Sequence, residues 1–335
     1  VEKLFYEDLR IVEIRIEELA TRLHFPSYML YMIKGGKRLR PLLALTICKS
    51  LGGESSSALD YAAAIELVHS AVLVHDDILD EHALRRGRKP LYKQLDPRRA
   101  LLLSDMLLSS ALKLTNASDG SKDTLSDTVY TLCRGVALEP LNPIRLLKKI
   151  LKEGLLPTFY ETVARLKTGE LFGAAAKMGA IAARTSGKLI EAAYQYGIEL
   201  GIAYQLADDL VDFRLWSREG FLPDTGSLIT AVLFIPYISV NEQMTKYLLN
   251  RVLRSYTLSK LLRPLGLKKA LIALTPDKDI VEAFTGIALN RIKLHCNNAI
   301  KTLAEFPVNK YTQLLTELPE YIINKQLAEV RCPLS

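Results

Sequence analysis

The sequence predicts an all-α protein: a single large helical bundle around a deep apolar interior. Three observations predict it. Apolar residues recur at three- and four-residue intervals over long stretches, the period of one helix face. Glycine, proline and small polar residues punctuate those stretches, and no segment reads as part of a β-sheet. Finally, 49% of the 335 residues are hydrophobic, which supports a substantial buried core. That length could form one domain or two. With no fixed-period repeat, residues 1–335 are read as one domain.

The elements follow in order. Glu2 to Leu23 carries Leu4, Leu9, Val12, Ile16 and Leu19 or Ala20 at helical intervals, and His24-Phe25-Pro26 breaks it. Leu42 to Leu51 repeats the pattern and stops at Gly52-Gly53-Glu54-Ser55. Leu59 to Leu79 and Arg99 to Leu114 follow, with a break over Asn116 to Ser121. Leu189 to Asp212 begins after Ser186-Gly187, and Gly220 to Gly226 forms the next break. Ile280 to Leu303 and Tyr311 to Gln326 supply the C-terminal helices.

Composition excludes several classes. The formal charge of +7 suits an anionic substrate or an anionic membrane surface and identifies neither. No lysine- or arginine-rich block argues for nucleic acid. No uninterrupted apolar run is long enough for a spanning helix, and no signal-peptide pattern opens the chain, which starts at Val1. Cys48, Cys133, Cys296 and Cys332 lack CxxC spacing and read as reduced thiols of a cytoplasmic protein.

The chemistry concentrates in two acidic patterns, Asp76-Asp77-Ile78-Leu79-Asp80 and Asp208-Asp209-Leu210-Val211-Asp212. Each places acids at i, i+1 and i+4 at the end of an apolar helix. Positions i and i+4 share a face, so Asp76 and Asp80 point the same way, with Asp77 beside them. Asp208 and Asp212 repeat this around Asp209. One such cluster is equally a solvated helix end. Two identical clusters read as facing carboxylates that cage cations, and oxygen ligands suit Mg²⁺, which also bridges to phosphates.

Basic residues supply the complement. Gly35-Gly36-Lys37-Arg38-Leu39-Arg40-Pro41 sets three cations before a helix that Pro41 can open. It reads as an anion clamp or as an ordinary basic loop. His69, seven residues before Asp76, shares the acidic face, where a histidine is either a core residue or part of a site. Arg85 and Arg86 follow the first acidic pattern as a phosphate fork or a surface pair.

On these residues the chain resembles the trans-isoprenyl diphosphate synthases, the polyprenyl synthetase family, from about Gly35 to Asp212 and weakly beyond. The resemblance rests on two DDxxD motifs, the GGKRxRP segment, Arg85-Arg86-Gly87, the stretch Lys167-Thr168-Gly169 and Gln205 before the second motif. It implies the isoprenoid synthase bundle and condensation of isopentenyl diphosphate with an allylic prenyl diphosphate. By resemblance, Asp76, Asp80 and Asp208 hold Mg²⁺, three ions per site, and Asp77, Asp209 and Asp212 complete the acidic set. Lys167 and Arg85 serve the allylic diphosphate with Thr168 nearby, Gln205 matches a substrate-binding glutamine, and Lys37, Arg40, His69 and Arg86 hold isopentenyl diphosphate. Short-chain members often carry aromatics four and five positions before the first aspartate. Here Val72 and Ala71 stand there, with Val68 a turn earlier, so a product of C25 or longer is expected ahead of C20. A homodimer, and peripheral membrane contact for product release, are expected on the same ground.

Two departures stand out. Ser104-Asp105 replaces the family's Gly-Asp, a change expected to touch packing only. After Asp212 the family's lysine-bearing segment is missing, and no lysine occurs before Lys246. Arg214 and Arg218 are the nearest cations that could substitute. This keeps a second expectation open: a weakly active or non-catalytic partner subunit of a prenyl synthase. A class I terpene cyclase fits poorly, because both DDxxD motifs and the GGKRLRP segment are intact.

Overall fold

The computed structural model describes residues 2–82, 85, 88–138, 150, 152, 157–220, 225–239, 241–262, 275–330 and 334. The first half contains α1 (Glu2–Arg22), α2 (Ser27–Ile33), α3 (Leu39–Ser50), α4 (Ser55–Leu79), α5 (Leu91–Gln94), α6 (Pro97–Leu112) and α7 (Ser121–Leu138). Then come α8 (Pro157–Ala164), a π-turn (Arg165–Gly169), α9 (Glu170–Ala182) and α10 (Gly187–Glu219). The chain continues with α11 (Thr225–Ile238), α12 (Glu242–Leu262), α13 (Lys278–Thr302) and α14 (Lys310–Leu327). Among the described residues there is no strand, only an isolated bridge between Arg85 and Arg88. The all-α expectation holds, and each predicted helix is present within a few residues of its expected ends.

Local chemistry sets several of those ends. The Asp96 side chain accepts from the Arg98 amide at 2.8 Å, and Pro97 takes the first helical position of α6. Asn309 caps α14 through the amides of Tyr311 and Thr312, at 2.9 and 3.0 Å. Gly220, at φ +67°, ends α10 with its N–H on the Trp216 carbonyl. The two acidic motifs therefore differ in setting. Asp80 is the C-cap of α4, as expected, whereas α10 runs seven residues past Asp212, so the second motif lies inside its helix.

Two apolar clusters fill the bundle. One joins α3, α4, α6, α7, α9 and α14; the other joins α10 to α8, α11, α12 and α13. The central helix α10 packs most extensively on α9 and α13, and α4 packs on α3 and α6. By length and mean hydropathy α4 could cross a membrane, though 61% of its apolar window is buried inside the bundle. Cys48, Cys133 and Cys296 are free thiols.

The α9–α10 contact is backbone on backbone. A Cβ on Gly197 would sit 2.3 Å from the Phe172 carbonyl oxygen, and one on Gly201 would sit 2.7 Å from the Gly169 Cα. Gly169 and Gly173 face Gly197 and Gly201, a four-residue spacing that puts each pair on one helix face. Gly197→Ala is expected to lower the unfolding free energy by about 1–3 kcal/mol through overpacking. Gly187→Ala, where a Cβ meets nothing within 4 Å, is expected to stay within about 0.5 kcal/mol of the parent. Urea denaturation followed by circular dichroism compares the two.

Candidate active site

One cavity of about 580 Å³ opens between α4, α9, α10 and α14. Asp76 and Asp80 reach it from α4, and Asp208, Asp209 and Asp212 reach it from α10. Lys37, Arg40, His69, Arg85, Lys167, Thr168 and Gln205 line it as well. Residues up to 289 positions apart in sequence, Lys37 and Gln326, thus share one space. Arg86 lies outside the described residues.

The acids divide into two kinds. In both motifs the middle aspartate is buried: Asp77 is 4% exposed and Asp209 is 5%. Asp77 Oδ1 accepts from Arg85 Nε at 2.7 Å and contacts His82 Nδ1 at 3.1 Å. Asp209 Oδ1 accepts from Gln205 Nε2 at 2.8 Å, and Oδ2 accepts from the Tyr160 hydroxyl. Burial pushes the Asp209 carboxyl up to about 7, Asp208 adds to the rise, and the Tyr160 and Gln205 hydrogen bonds oppose it. The middle acids are tied into the protein, although Asp209 also borders the cavity, while Asp76, Asp80, Asp208 and Asp212 line it as the flanking acids.

The wall opposite the first motif is set by the π-turn. A π-turn spreads extra backbone over one turn and often marks a functional site. It carries Lys167 and Thr168, and the Thr168 hydroxyl donates to Gln205 Oε1. Gln205 therefore links Thr168 to Asp209, and Asp209 links to Tyr160 on α8.

The three cations of the Lys37–Arg40 segment separate. Arg38 adopts φ +52° and is 4% exposed, and its guanidinium pairs with Glu66 on α4 at 2.6 Å and Glu13 on α1 at 2.7 Å. It anchors the segment instead of facing the main cavity. Arg40 lies 4.5 Å from the Phe172 ring centre and 3.2 Å from His69 Nε2. A side chamber of about 200 Å³, walled in part by Lys37, Arg40 and His69, adjoins the main cavity.

The expected product-length residues do not stay together. Val72 lines the cavity, whereas Ala71 and Val68 are fully buried in the core around α4. The Ala71 carbonyl accepts from Ser104 on α6 at 3.0 Å, and Ser104 also contacts His75 at 2.9 Å. The Ser104 substitution thus adds hydrogen bonds between α6 and α4. Arg214 pairs with Glu282 at 2.8 Å and Arg218 with Glu219 at 2.9 Å; neither lines the cavity.

Sequence reasoning missed Tyr160, Tyr204, Leu132 and Gln326. Leu132 on α7 is buried and borders the cavity. Gln326 on α14 touches Lys37 at 2.6 Å and also bonds Asp208. A signal for Gln326 existed: it follows Leu315, Leu318 and Ile322 at core register, where an amide needs polar partners.

The donor set fits a hard divalent cation, since the cavity-facing acids offer oxygen alone. Among the described residues, no three His, Cys, Asp or Glu side chains converge as a metal cage by themselves. The two acidic groups instead leave room for a ligand between them, with a ligand's oxygens and water completing coordination.

The anchoring and cavity-facing roles make different stability predictions. Asp77→Ala is expected to destabilise the protein by about 1–3 kcal/mol, because Arg85 and His82 lose their acceptor. Asp76→Ala is expected to remain within about 0.5 kcal/mol of the parent. Differential scanning calorimetry without metal measures both.

The polyprenyl synthetase family model matches residues 24–219. A geranylgeranyl diphosphate synthase of Methanosarcina mazei is 34% identical over 185 residues, 53% of this chain and 55% of that one. Heptaprenyl diphosphate synthase component 2 of Bacillus subtilis is 29% identical over 239 residues, 69% of this chain and 66% of that one. These matches thus span about half to two thirds of the curated relatives' length. The crystal structure of geranylgeranyl pyrophosphate synthetase from Pyrococcus horikoshii Ot3 superposes with a TM-score of 0.74 at 25% identity. That superposition covers 96% of this chain and 98% of the other.

Proposed function

This chain belongs to the polyprenyl synthetase family, and from that premise we propose that it is a trans-prenyltransferase acting as one domain. It condenses isopentenyl diphosphate with an allylic prenyl diphosphate. The observation that carries this reading is the single cavity, where both acidic motifs meet Lys37, Arg40, Arg85 and Lys167 beside an apolar wall.

The allylic C1–O bond breaks and releases diphosphate. The isopentenyl double bond supplies the electron pair for the new 1′-4 bond, and a proton then leaves to the released diphosphate. Asp76, Asp80 and Asp208 would hold Mg²⁺, three ions by the family resemblance, which would supply charge neutralisation for the departing group. Lys167 and Arg85 add positive charge on the allylic side. Lys37, Arg40, His69 and Arg86 orient isopentenyl diphosphate, and orientation contributes part of the rate. Asp77 and Asp209 hold their neighbours in place from behind. Val72, Leu73, Leu132, Leu171, Val211 and Leu215 form the apolar wall that excludes water from the cation.

The product we propose is C25 or longer in preference to C20. Val72 leaves the wall open, which supports this; the relatives are named for both geranylgeranyl and heptaprenyl products. A homodimer is supported by α6, which exposes Leu101, Leu102 and Met106 on one stretch. We place the enzyme in the cytoplasm, with peripheral membrane contact as the long product leaves.

A second reading has its own support. The segment after Asp212 brings no lysine, Arg214 and Arg218 are committed elsewhere, and one relative is named as a component of a synthase. Purified protein incubated with labelled isopentenyl diphosphate, Mg²⁺ and C10, C15 or C20 primers separates the readings. Magnesium-dependent elongation by the chain alone supports the enzyme; primer binding without elongation supports the partner subunit.

Asp76→Ala and Asp208→Ala are each expected to lower turnover on the order of 10³-fold, as the loss of charge stabilisation predicts. Near-parental turnover in either would sink the cation-site assignment. Val72→Phe is expected to shorten the product and Leu132→Ala to lengthen it. Chromatography of the prenyl products reads both, and an unchanged distribution would move the floor elsewhere.

A further inference from the structure

Gln326 is only 6% exposed, and its carboxamide lies between a cation and an anion. Its Oε1 accepts from Lys37 Nζ at 2.6 Å and from the Tyr204 hydroxyl at 3.3 Å. Its Nε2 donates to Asp208 Oδ1. An ammonium only donates and a carboxylate only accepts, so this orientation of the amide alone satisfies both. Lys37 and Asp208 thus stand one carboxamide apart in the same cavity.

Opposite charges that close attract strongly in a partly buried site. The lysine stem is flexible enough to bring its ammonium onto the carboxylate. A direct ion pair would neutralise a cation-binding acid and a phosphate-binding base together. The glutamine gives each a partner without net charge, and the chain of hydrogen bonds polarises along its length.

We propose that Gln326 is a positioning residue, a neutral spacer that keeps Lys37 from pairing with Asp208. Each then retains its charge, Lys37 for a diphosphate and Asp208 for Mg²⁺. This inference rests on the prenyl-transfer reading above. Gln326 acts through its two neighbours and does not reach the reacting atoms. Gln326→Met keeps the volume and removes both hydrogen bonds, which leaves Lys37 free to close on Asp208.

The test titrates Mg²⁺ calorimetrically into the full chain with inorganic diphosphate present, beside kinetics at varied isopentenyl diphosphate. Gln326→Met is expected to weaken Mg²⁺ binding and to raise KM for isopentenyl diphosphate, each by about tenfold. Adding Lys37→Met to Gln326→Met is expected to restore Mg²⁺ binding while KM stays high. A glutamine that served packing alone would show no such recovery. Gln326→Asn keeps the polarity but cannot span both partners, and it gives the same readings if methionine unfolds the chain. Unchanged Mg²⁺ binding in the single variant, or no recovery in the double, overturns the inference. A parent that neither binds Mg²⁺ nor elongates overturns the functional reading as well; an active parent with an unaffected variant overturns the spacer alone.

Discussion

The backbone of α9 rests on the backbone of α10, and the cavity's geometry follows from that contact. Gly169 and Gly173 meet Gly197 and Gly201 closely enough that a Cβ on Gly197 or Gly201 would strike backbone atoms of the other element. Small residues at four-residue spacing allow such close approach, as they do between membrane helices. A fixed interhelical distance puts Thr168 within hydrogen-bond reach of Gln205. It also brings Lys167 and Asp208 to one cavity. The glycines give up helix propensity, each by about 1 kcal/mol relative to alanine, and packing across the contact offsets this.

The electrostatic design has two layers. The flanking acids line the cavity, and the buried middle acids hold the surroundings. The two anchors differ in kind. Asp77 is matched by the Arg85 guanidinium, whereas Asp209 receives neutral donors from Tyr160 and Gln205 and carries a raised pKa. On the α10 half, Lys167 opposes the rise at Asp209 through space, whereas on the α4 half Arg85 bonds Asp77 directly.

Spacing made the helices and the cavity-lining acids legible, while Lys167, Thr168 and Gln205 were read only from the family resemblance. The i and i+4 rule brought out Asp76, Asp80, Asp208 and Asp212, and glycine and proline marked the breaks. It could not separate Arg38 from Lys37 and Arg40. That choice depends on a left-handed backbone turn and on two partners, Glu13 and Glu66, in other helices. Likewise Ala71 and Val72 are neighbours in sequence and part ways because only one faces the cavity. Tyr160 carried no local signal at all: its importance comes from Asp209, 49 residues later. Gln326 was readable in principle as a polar residue in an apolar register, but its partners were not.

Ser104 gives α6 a second significance. One side of this helix is hydrogen-bonded to α4 at Ala71, the residue next to Val72 on the cavity wall. Its other side presents Leu101, Leu102 and Met106 to the outside. The helix therefore stands between α4, which walls the chamber, and an exposed apolar face. Pressure on the outer side would bear on α4, and so on the chamber, through the Ser104 hydrogen bonds and the packing of α6 on α4. Assembly and chamber size would then be two readings of the same mechanical part.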